Sequence, residues 1–180
     1  LLDSLRREPA VRGVVLRLES PGGDGLASDL LWRAVHVLAR EKPVAVSMGD
    51  VAASGAYYLA AAAHAIFAEA GTLTGSIGVV GGKVDAEGLL RRLGIGREAI
   101  ERGANAGLLS GTTGFRAGER AAVQAAMESI YATFTERVAE GRKLPIEDVR
   151  RVAEGRIWSG ARTQQVRLHG SYRAVEHVGG

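Results

Sequence analysis

A glycine-rich turn between a short apolar strand and an amphipathic helix constrains the fold of this chain more than any other feature. Residues 13–18 (GVVLRL) are typical of a buried strand, and the next segment, 20–25 (SPGGDG), can form only a turn. Residues 26–40 then carry apolar side chains at helical spacing, and residues 43–48 (PVAVSM) predict a second strand. A strand, a helix and a strand in this order form a crossover unit. We therefore expect parallel pairing within an α/β fold.

The strand–turn–helix pattern then begins again. Residues 49–55 (GDVAASG) predict a turn of small residues that leads into an alanine-rich helix over 56–63 and a short strand at 65–68. The rest of the chain predicts further helices over 86–93, 117–142 and 146–154, with a strand at 98–101. In the first long helix, one stripe of apolar residues is predicted to face the core: Leu26, Leu30, Ala34, Val37 and Leu38.

Composition narrows the class of protein. The 180 residues, 46% of them hydrophobic, suit one domain over 1–180. The net charge is only +3 and the basic residues are scattered, which argues against a nucleic-acid partner. The absence of cysteine excludes disulfides and thiolate metal sites, and no pattern calls for a metal or another cofactor.

The chain carries no signal peptide or membrane anchor that the sequence reveals. Its longest apolar run, residues 57–63, is much shorter than the roughly 20 residues of a membrane-spanning helix. Because residue 1 already lies in a predicted helix, we expect the chain to be a fragment of a longer protein. Any membrane tether would then lie outside it.

Ser54 is the strongest candidate for a nucleophile. It lies between small residues at a predicted strand-to-helix turn, where a tight bend can expose a hydroxyl to a cleft. The amide of Gly55 at the start of the helix and that of Gly23 in the preceding glycine turn are candidate oxyanion donors. The alternative is that Ser54 only caps the helix that follows, as serine often does.

The base that would activate Ser54 is harder to find. None of the four histidines lies in a glycine-rich turn or beside an orienting carboxylate: His36, His64, His169 and His177. A Ser-His-Asp triad is therefore disfavoured, which leaves a Ser-Lys pair, with a buried lysine whose neutral amine accepts the proton. Of the lysines Lys42, Lys83 and Lys143, Lys83 is the one internal candidate. Its alternative role is that of a solvated loop lysine.

Several segments, in order and spacing, resemble the signal peptide peptidase A family, and the resemblance spans nearly the whole chain. They are 18–23 (LESPGG), 42–49 (KPVAVSMG), 52–58 (AASGAYY), 73–78 (LTGSIG), 139–144 (AEGRKL) and 152–161 (VAEGRIWSGA). The family resemblance implies a ClpP/crotonase-like fold, a superhelix of βαβ units with a long C-terminal helical region. It also implies a Ser-Lys dyad in which Ser54 is the nucleophile and Ser76 hydrogen-bonds the lysine.

The chain departs from the family pattern at the lysine itself. Short members carry it after a Gly-Ala-His-Lys-like segment, and the matching stretch here, residues 103–106, reads Gly-Ala-Asn-Ala. Long members have two tandem repeats, with the serine in the second and the lysine in the first. The chain therefore resembles an isolated second repeat whose lysine comes from an upstream repeat or another subunit. A lysine replaced by Ala106 is the alternative.

The resemblance further implies a peptide substrate, cleaved signal peptides left in the membrane, and assembly into a homo-oligomeric ring. The implied location is the bacterial cytoplasmic membrane, with the catalytic domain on its periplasmic side. Two other functions stay open. One is a catalytically silent scaffold of the same fold, and the other is a crotonase-like enzyme that binds acyl-CoA, although no pair of carboxylates suited to that chemistry stands out.

Overall fold

A computed structural model describes residues 1–103, 105–166 and 168 of the chain. These residues fall into two units by their internal contacts. The first unit contains residues 1–78 and the described residues from 130 onward, and the second contains residues 79–129. The single domain over 1–180 stays a prediction.

The first unit is built around one five-stranded mixed sheet. Its strands are β1 (Val14–Ser20), β2 (Val44–Ala53), β3 (Ala65–Phe67), β4 (Leu73–Gly75) and β5 (Ile157–Ser159). The order is β1-β2-β4-β5, with β3 also paired to β2. β2 is parallel to β1, β3 and β4, and only the β4–β5 pair is antiparallel. The predicted α/β fold with parallel crossover pairing is confirmed.

Seven helices are described alongside the strands. They are α1 (Leu2–Arg7), α2 (Gly25–Ala39), α3 (Gly55–Ala60), α4 (Glu87–Arg92), α5 (Ala117–Arg142), α6 (Ile146–Val152) and α7 (Gly160–Gln165). α2 begins at a capping aspartate, because the Asp24 side chain accepts a hydrogen bond from the Ala27 amide at 2.8 Å. In the described part of the chain, no helix combines the length and the apolar character needed to cross a membrane.

Two predicted elements differ from the structure. The small residues 49–53, predicted as a turn, continue β2 and pair with β4 from Val51 to Ala53. Residues 98–101, predicted as a strand, form no regular element. Both errors have the same cause, because a strand is stabilised by its partner. Residues 49–53 find one about 20 residues later, and residues 98–101 find none among the described residues.

The buried face of α2 also differs from the predicted one. Ser28, Trp32, Val35 and Leu38 are buried, whereas Leu26 and Leu30 are 70% and 59% exposed. The helix carries apolar side chains on more than one face, so its periodicity alone does not select the inward one. Packing against α3 and the sheet selects the face that presents small Ser28 where the helices approach. Of the predicted stripe, only Leu38 is fully buried.

The core of the first unit lies between the sheet and its helices. Alternate residues of β2, among them Val44, Val46 and Met48, are buried, and so is most of α3. α5 approaches the end of α3 so closely that a Cβ atom at Gly141 would overlap the carbonyl group of Ala61. The close fit fixes α3, and therefore the residue at its N-terminus, against the sheet.

The assignment of the buried α2 face predicts unequal costs for two leucine substitutions. Leu38→Ala should lower the free energy of unfolding by about 2–5 kcal/mol, because it leaves a cavity in the core. Leu30→Ala, on the exposed face of the same helix, should change it by no more than about 0.5 kcal/mol. Urea denaturation of the two variants measures both values. Equal losses, or a larger loss at Leu30, would contradict this packing.

Candidate active site

Three parallel strands of the first unit end at the same edge of the sheet. β1 leads into the glycine turn at 20–23, β2 leads to Ser54, and β4 leads to Ser76. In parallel sheets the crevice outside the carboxyl ends of the strands is where ligands bind. The sequence candidates Ser54, Ser76, Gly23 and Gly55 therefore all lie at this edge.

Ser54 has a backbone conformation that side-chain-bearing residues rarely adopt. Its φ and ψ angles are 51° and −118°, and its amide donates a hydrogen bond to the Gly75 carbonyl at 2.8 Å. Such a conformation costs on the order of 1–3 kcal/mol and persists only where the surroundings hold it. The Ser54 side chain makes no capping hydrogen bond to α3. The capping alternative therefore finds no support in the geometry.

The glycine turn after β1 lies directly against Ser54 and Gly55. Gly22 has a φ of 114°, and a Cβ atom there would lie 2.7 Å from the Ser54 Cβ and 2.9 Å from the Gly55 amide nitrogen. A Cβ atom at Gly55 would lie 3.2 Å from the Gly23 amide nitrogen. The amides of Gly23 and Gly55 are thus neighbours beside Ser54, as a pair of oxyanion donors must be.

Ser76 directly follows β4, as Ser54 directly follows β2. Ala53 and Gly75 are partners in the parallel register, and each serine directly follows one of them. Ser76 also has a positive φ, 49°, and its amide donates to the Arg156 carbonyl at 2.7 Å. The two serines therefore lie at the carboxyl ends of neighbouring strands, each one residue past a registered pair and at a positive φ.

Residues that the sequence did not single out hold α3 in place. Ser28 on α2 packs against Gly55 and donates its hydroxyl to the Asp24 carbonyl at 2.8 Å. The Tyr58 hydroxyl donates to Asp29 Oδ1 at 2.8 Å, and the Tyr57 hydroxyl donates to the Leu168 carbonyl at 2.6 Å. The spacing of polar residues on the α2 face beside the glycine turn is the one signal that would have pointed to Ser28 and Asp29.

The tyrosine hydroxyls of α3 serve as donors because they stay protonated. Burial raises the pKa of Tyr57 well above its usual range. Burial, followed by the hydrogen bond to Asp29, does the same for the pKa of Tyr58. These phenols therefore act as fixed hydrogen-bond donors that anchor α3, and neither supplies a base at neutral pH.

The described histidines have structural contacts of their own. The His36 ring stacks on Trp32 with 4.7 Å between ring centroids, and His64 Nδ1 accepts a hydrogen bond from the Val44 amide at 3.1 Å. His169 and His177 lie outside the described residues. Among the described residues, no group of three or more acidic or histidine side chains is arranged to hold a metal ion.

Lys83 lies in the second unit and is engaged there. Its buried ammonium group donates to the Gly107 carbonyl at 2.8 Å and lies 3.4 Å from the Glu119 carboxylate, which is also buried. The Arg116 backbone amide, aided by the charge of Lys83, lowers the pKa of Glu119 below its usual range. The ion pair gives Lys83 a local role and lends no support to Lys83 as the base, which stays a prediction.

Lys42 and Lys143 have no better claim to the role of base. Lys42 Nζ donates to the carbonyl groups of Leu5 and Glu8, and Lys143 is exposed after the end of α5. In the stretch where the family pattern has its lysine, Asn105 and Ala106 form a turn, and Ala104 lies outside the described residues.

Comparison with known proteins assigns the chain to a family. The profile of "Peptidase family S49" matches residues 36–178. A chloroplastic serine protease, SPPA, of Arabidopsis thaliana is 43% identical over 160 residues, which is 88% of this chain and 24% of that protein. A putative protease of Methanocaldococcus jannaschii is 38% identical over 168 residues, 93% of this chain and 54% of that protein. A putative signal peptide peptidase of Enterococcus faecium is 32% identical over 160 residues, 88% and 46% of the two chains. The chain spans between about a quarter and just over half the length of these relatives.

The contacts of the glycine turn predict a sharp difference between two neighbouring positions. Gly22→Ala should lower the reactivity of Ser54 by roughly 10²-fold, because its Cβ would collide with the Ser54 Cβ and the Gly55 amide and push the glycine turn, with the Gly23 amide, away from them. Gly23→Ala should have a much smaller effect, since a Cβ there meets no atom of the chain within 4 Å and its amide is retained. Phosphonylation rates at Ser54 in the intact protein measure both. Similar rates for the two variants would show that the turn does not position the serine.

Proposed function

This chain belongs to peptidase family S49, and from that premise we propose that it is the serine-bearing part of a protease with a Ser-Lys dyad. The resemblance to the signal peptide peptidase A family inferred from the sequence is confirmed by the family match and by relatives named as proteases. The observation that carries the proposal is the strained turn at Ser54, with the glycine turn of β1 packed against it.

The proposed reaction assigns one role to each group at the sheet edge. The Ser54 hydroxyl attacks the carbonyl carbon of a peptide bond while a lysine amine accepts its proton. The negative charge that develops on the carbonyl oxygen is stabilised by the amides of Gly23 and Gly55. Ser76, at the end of the neighbouring strand β4, orients the lysine by a hydrogen bond. When the C–N bond breaks, the protonated lysine passes its proton to the leaving amine. The acyl ester left on Ser54 is then hydrolysed by a water molecule, whose proton the same lysine accepts and returns to Ser54.

We propose that this lysine comes from an upstream repeat or another subunit. All three lysines of the chain have other environments: Lys42 binds backbone carbonyls, Lys83 pairs with Glu119, and Lys143 is exposed. A general base must be neutral to accept a proton, so the missing lysine should be buried beside Ser54 and Ser76 in the assembly. This requirement links activity to assembly, which fits a homo-oligomeric ring.

The proposed substrates are hydrophobic peptides with small side chains beside the cleaved bond, as in signal peptides released into a membrane. The support is the name of the Enterococcus faecium relative and the alanines that surround Ser54. The proposed location is the extracytoplasmic face of a bacterial membrane. A catalytically silent scaffold and an acyl-CoA-binding enzyme are the outcomes that would replace this proposal.

Labelling the intact protein with a phosphonate probe for serine hydrolases tests the nucleophile. The adduct should map to Ser54, and Ser54→Ala should abolish peptide cleavage, whereas Ser4→Ala on the exposed face of α1 should not change it. An adduct elsewhere, or cleavage that survives Ser54→Ala, would refute the assignment. No adduct and no cleavage would favour the scaffold.

The origin of the base is tested by comparing the chain of 180 residues with the intact protein. The isolated chain should be inactive. In the intact protein kcat/KM should rise with pH and level off above the pKa of the lysine in the free enzyme, because only the neutral amine accepts the proton. Replacement of the lysine in the upstream repeat by alanine should remove this rise of kcat/KM with pH. If the isolated chain cleaves peptides and Lys83→Ala abolishes the cleavage, the base is internal.

A further inference from the structure

The pairing of β1 with β2 contains an irregularity just before the site. The two strands pair residue for residue from Val14 with Val44 to Leu18 with Met48, and the next pair is Ser20 with Ala52. Two residues of β1 therefore span the same length as four residues of β2. Glu19 alone lies opposite the segment from Gly49 to Val51, so the regular ladder of backbone partners on β1 is interrupted there.

The Glu19 side chain takes the place of those partners. Its Oε2 accepts a hydrogen bond from the Asp50 amide at 2.9 Å, and its Oε1 accepts one from the Val51 amide at 3.1 Å. A Cβ atom at Gly49 would overlap the same carboxylate, so the bulge has room for Glu19 because residue 49 is glycine. From the other side, the Thr72 hydroxyl donates to the Gly49 carbonyl at 2.9 Å.

The irregular segment lies where it can set the geometry of the site. One residue after Glu19, β1 ends in the turn that carries Gly22 and Gly23, and three residues after Val51, β2 ends at Ser54. The number of extra residues held in the bulge decides how far along the sheet Ser54 emerges relative to Gly23. The carboxylate of Glu19 has two acceptor oxygens and binds two amides. This number equals the two extra residues that β2 has over β1 between the flanking pairs.

We propose that Glu19 is a positioning residue for the nucleophile: by accepting both bulge amides, it fixes the register that brings Ser54 against the glycine turn. The inference rests on the proposed function only in taking Ser54 as the reactive group. It assigns Glu19 no contact with substrate and no proton transfer. Loss of the carboxylate should therefore affect the reaction step at Ser54 more than the binding of peptide.

Glu19→Gln is the sharpest variant because it keeps the size of the side chain. The amide has one acceptor oxygen, and its NH₂ group would face an N–H donor, so one of the two bulge hydrogen bonds is lost. Displacement of a reacting group by about 1 Å can cost on the order of 10²-fold in rate. We expect kcat to fall by about 10- to 100-fold with KM nearly unchanged.

The matched control is Glu136→Gln, which removes the same charge from an exposed position of α5 in the same unit. Three measurements on the intact protein are compared between the variants and the wild type. They are kcat and KM for a fluorogenic hydrophobic peptide, the rate of phosphonylation at Ser54, and hydrogen exchange of residues 49–53 followed by mass spectrometry. Glu19→Gln should lower kcat and the phosphonylation rate and speed the exchange, while Glu136→Gln should leave all three unchanged.

The outcomes separate this proposal from the proposed function. If Glu19→Gln speeds exchange at 49–53 but leaves kcat and phosphonylation unchanged, the positioning role is refuted. If exchange is unchanged, the hydrogen bonds themselves are refuted. Should the wild type be phosphonylated at Ser54 without cleaving peptides, the protease proposal fails and the phosphonylation rates still test Glu19. If Glu19→Gln does not fold, Glu19→Asp, which keeps the charge but is one methylene shorter, decides by the same measurements.

Discussion

The parallel register between β2 and β4 is the constraint on which the rest of the site depends. It pairs Ala53 with Gly75, and the next residue along β2, Ser54, donates its amide to the Gly75 carbonyl at 2.8 Å. This hydrogen bond holds Ser54 in a backbone conformation that it would not adopt in an isolated chain. The same register sets Ser76 at the end of the strand next to the one that ends before Ser54. A shift by one residue would separate the two serines and release the strained turn.

Close approach between backbones is the second requirement, and it explains why small residues are concentrated around the site. The turn at Gly22 lies so near Ser54 that no side chain fits between them, and Gly55 meets both the same turn and Ser28 of α2. Farther away, Gly141 lets α5 pack against the end of α3. These contacts bring the turn at Ser54 together with the glycine turn after β1 and the start of α2, from which it is distant in the sequence. This packing is what places the amides of Gly23 and Gly55 next to each other.

Polar side chains complete the hydrogen bonding where the sheet is irregular. The Glu19 side chain accepts hydrogen bonds from two amides of β2 at the interruption of the backbone ladder, and the Thr72 hydroxyl donates to the Gly49 carbonyl. Asp29 similarly binds Tyr58 and so ties α3 to α2. The two hydrogen bonds of Glu19 lie on the exposed side of the sheet, so their role is to fix the register more than to relieve buried amides. None of the contacts described around Ser54 involves a lysine, which is the base of the proposed reaction.

The local sequence by itself determined the α/β class, the parallel crossover and the serine candidate, because strand and helix periodicity and glycine turns act over a few residues. The order and spacing of the motifs also determined the family. Only the tertiary structure decided that residues 49–53 form a strand, that Leu26 and Leu30 face outward, and that Lys83 pairs with Glu119. Each of these depends on a partner distant in the chain, whose position no local pattern encodes. For the same reason Glu19, whose role lies in the register of two strands, could not be recognised from its neighbours in the sequence.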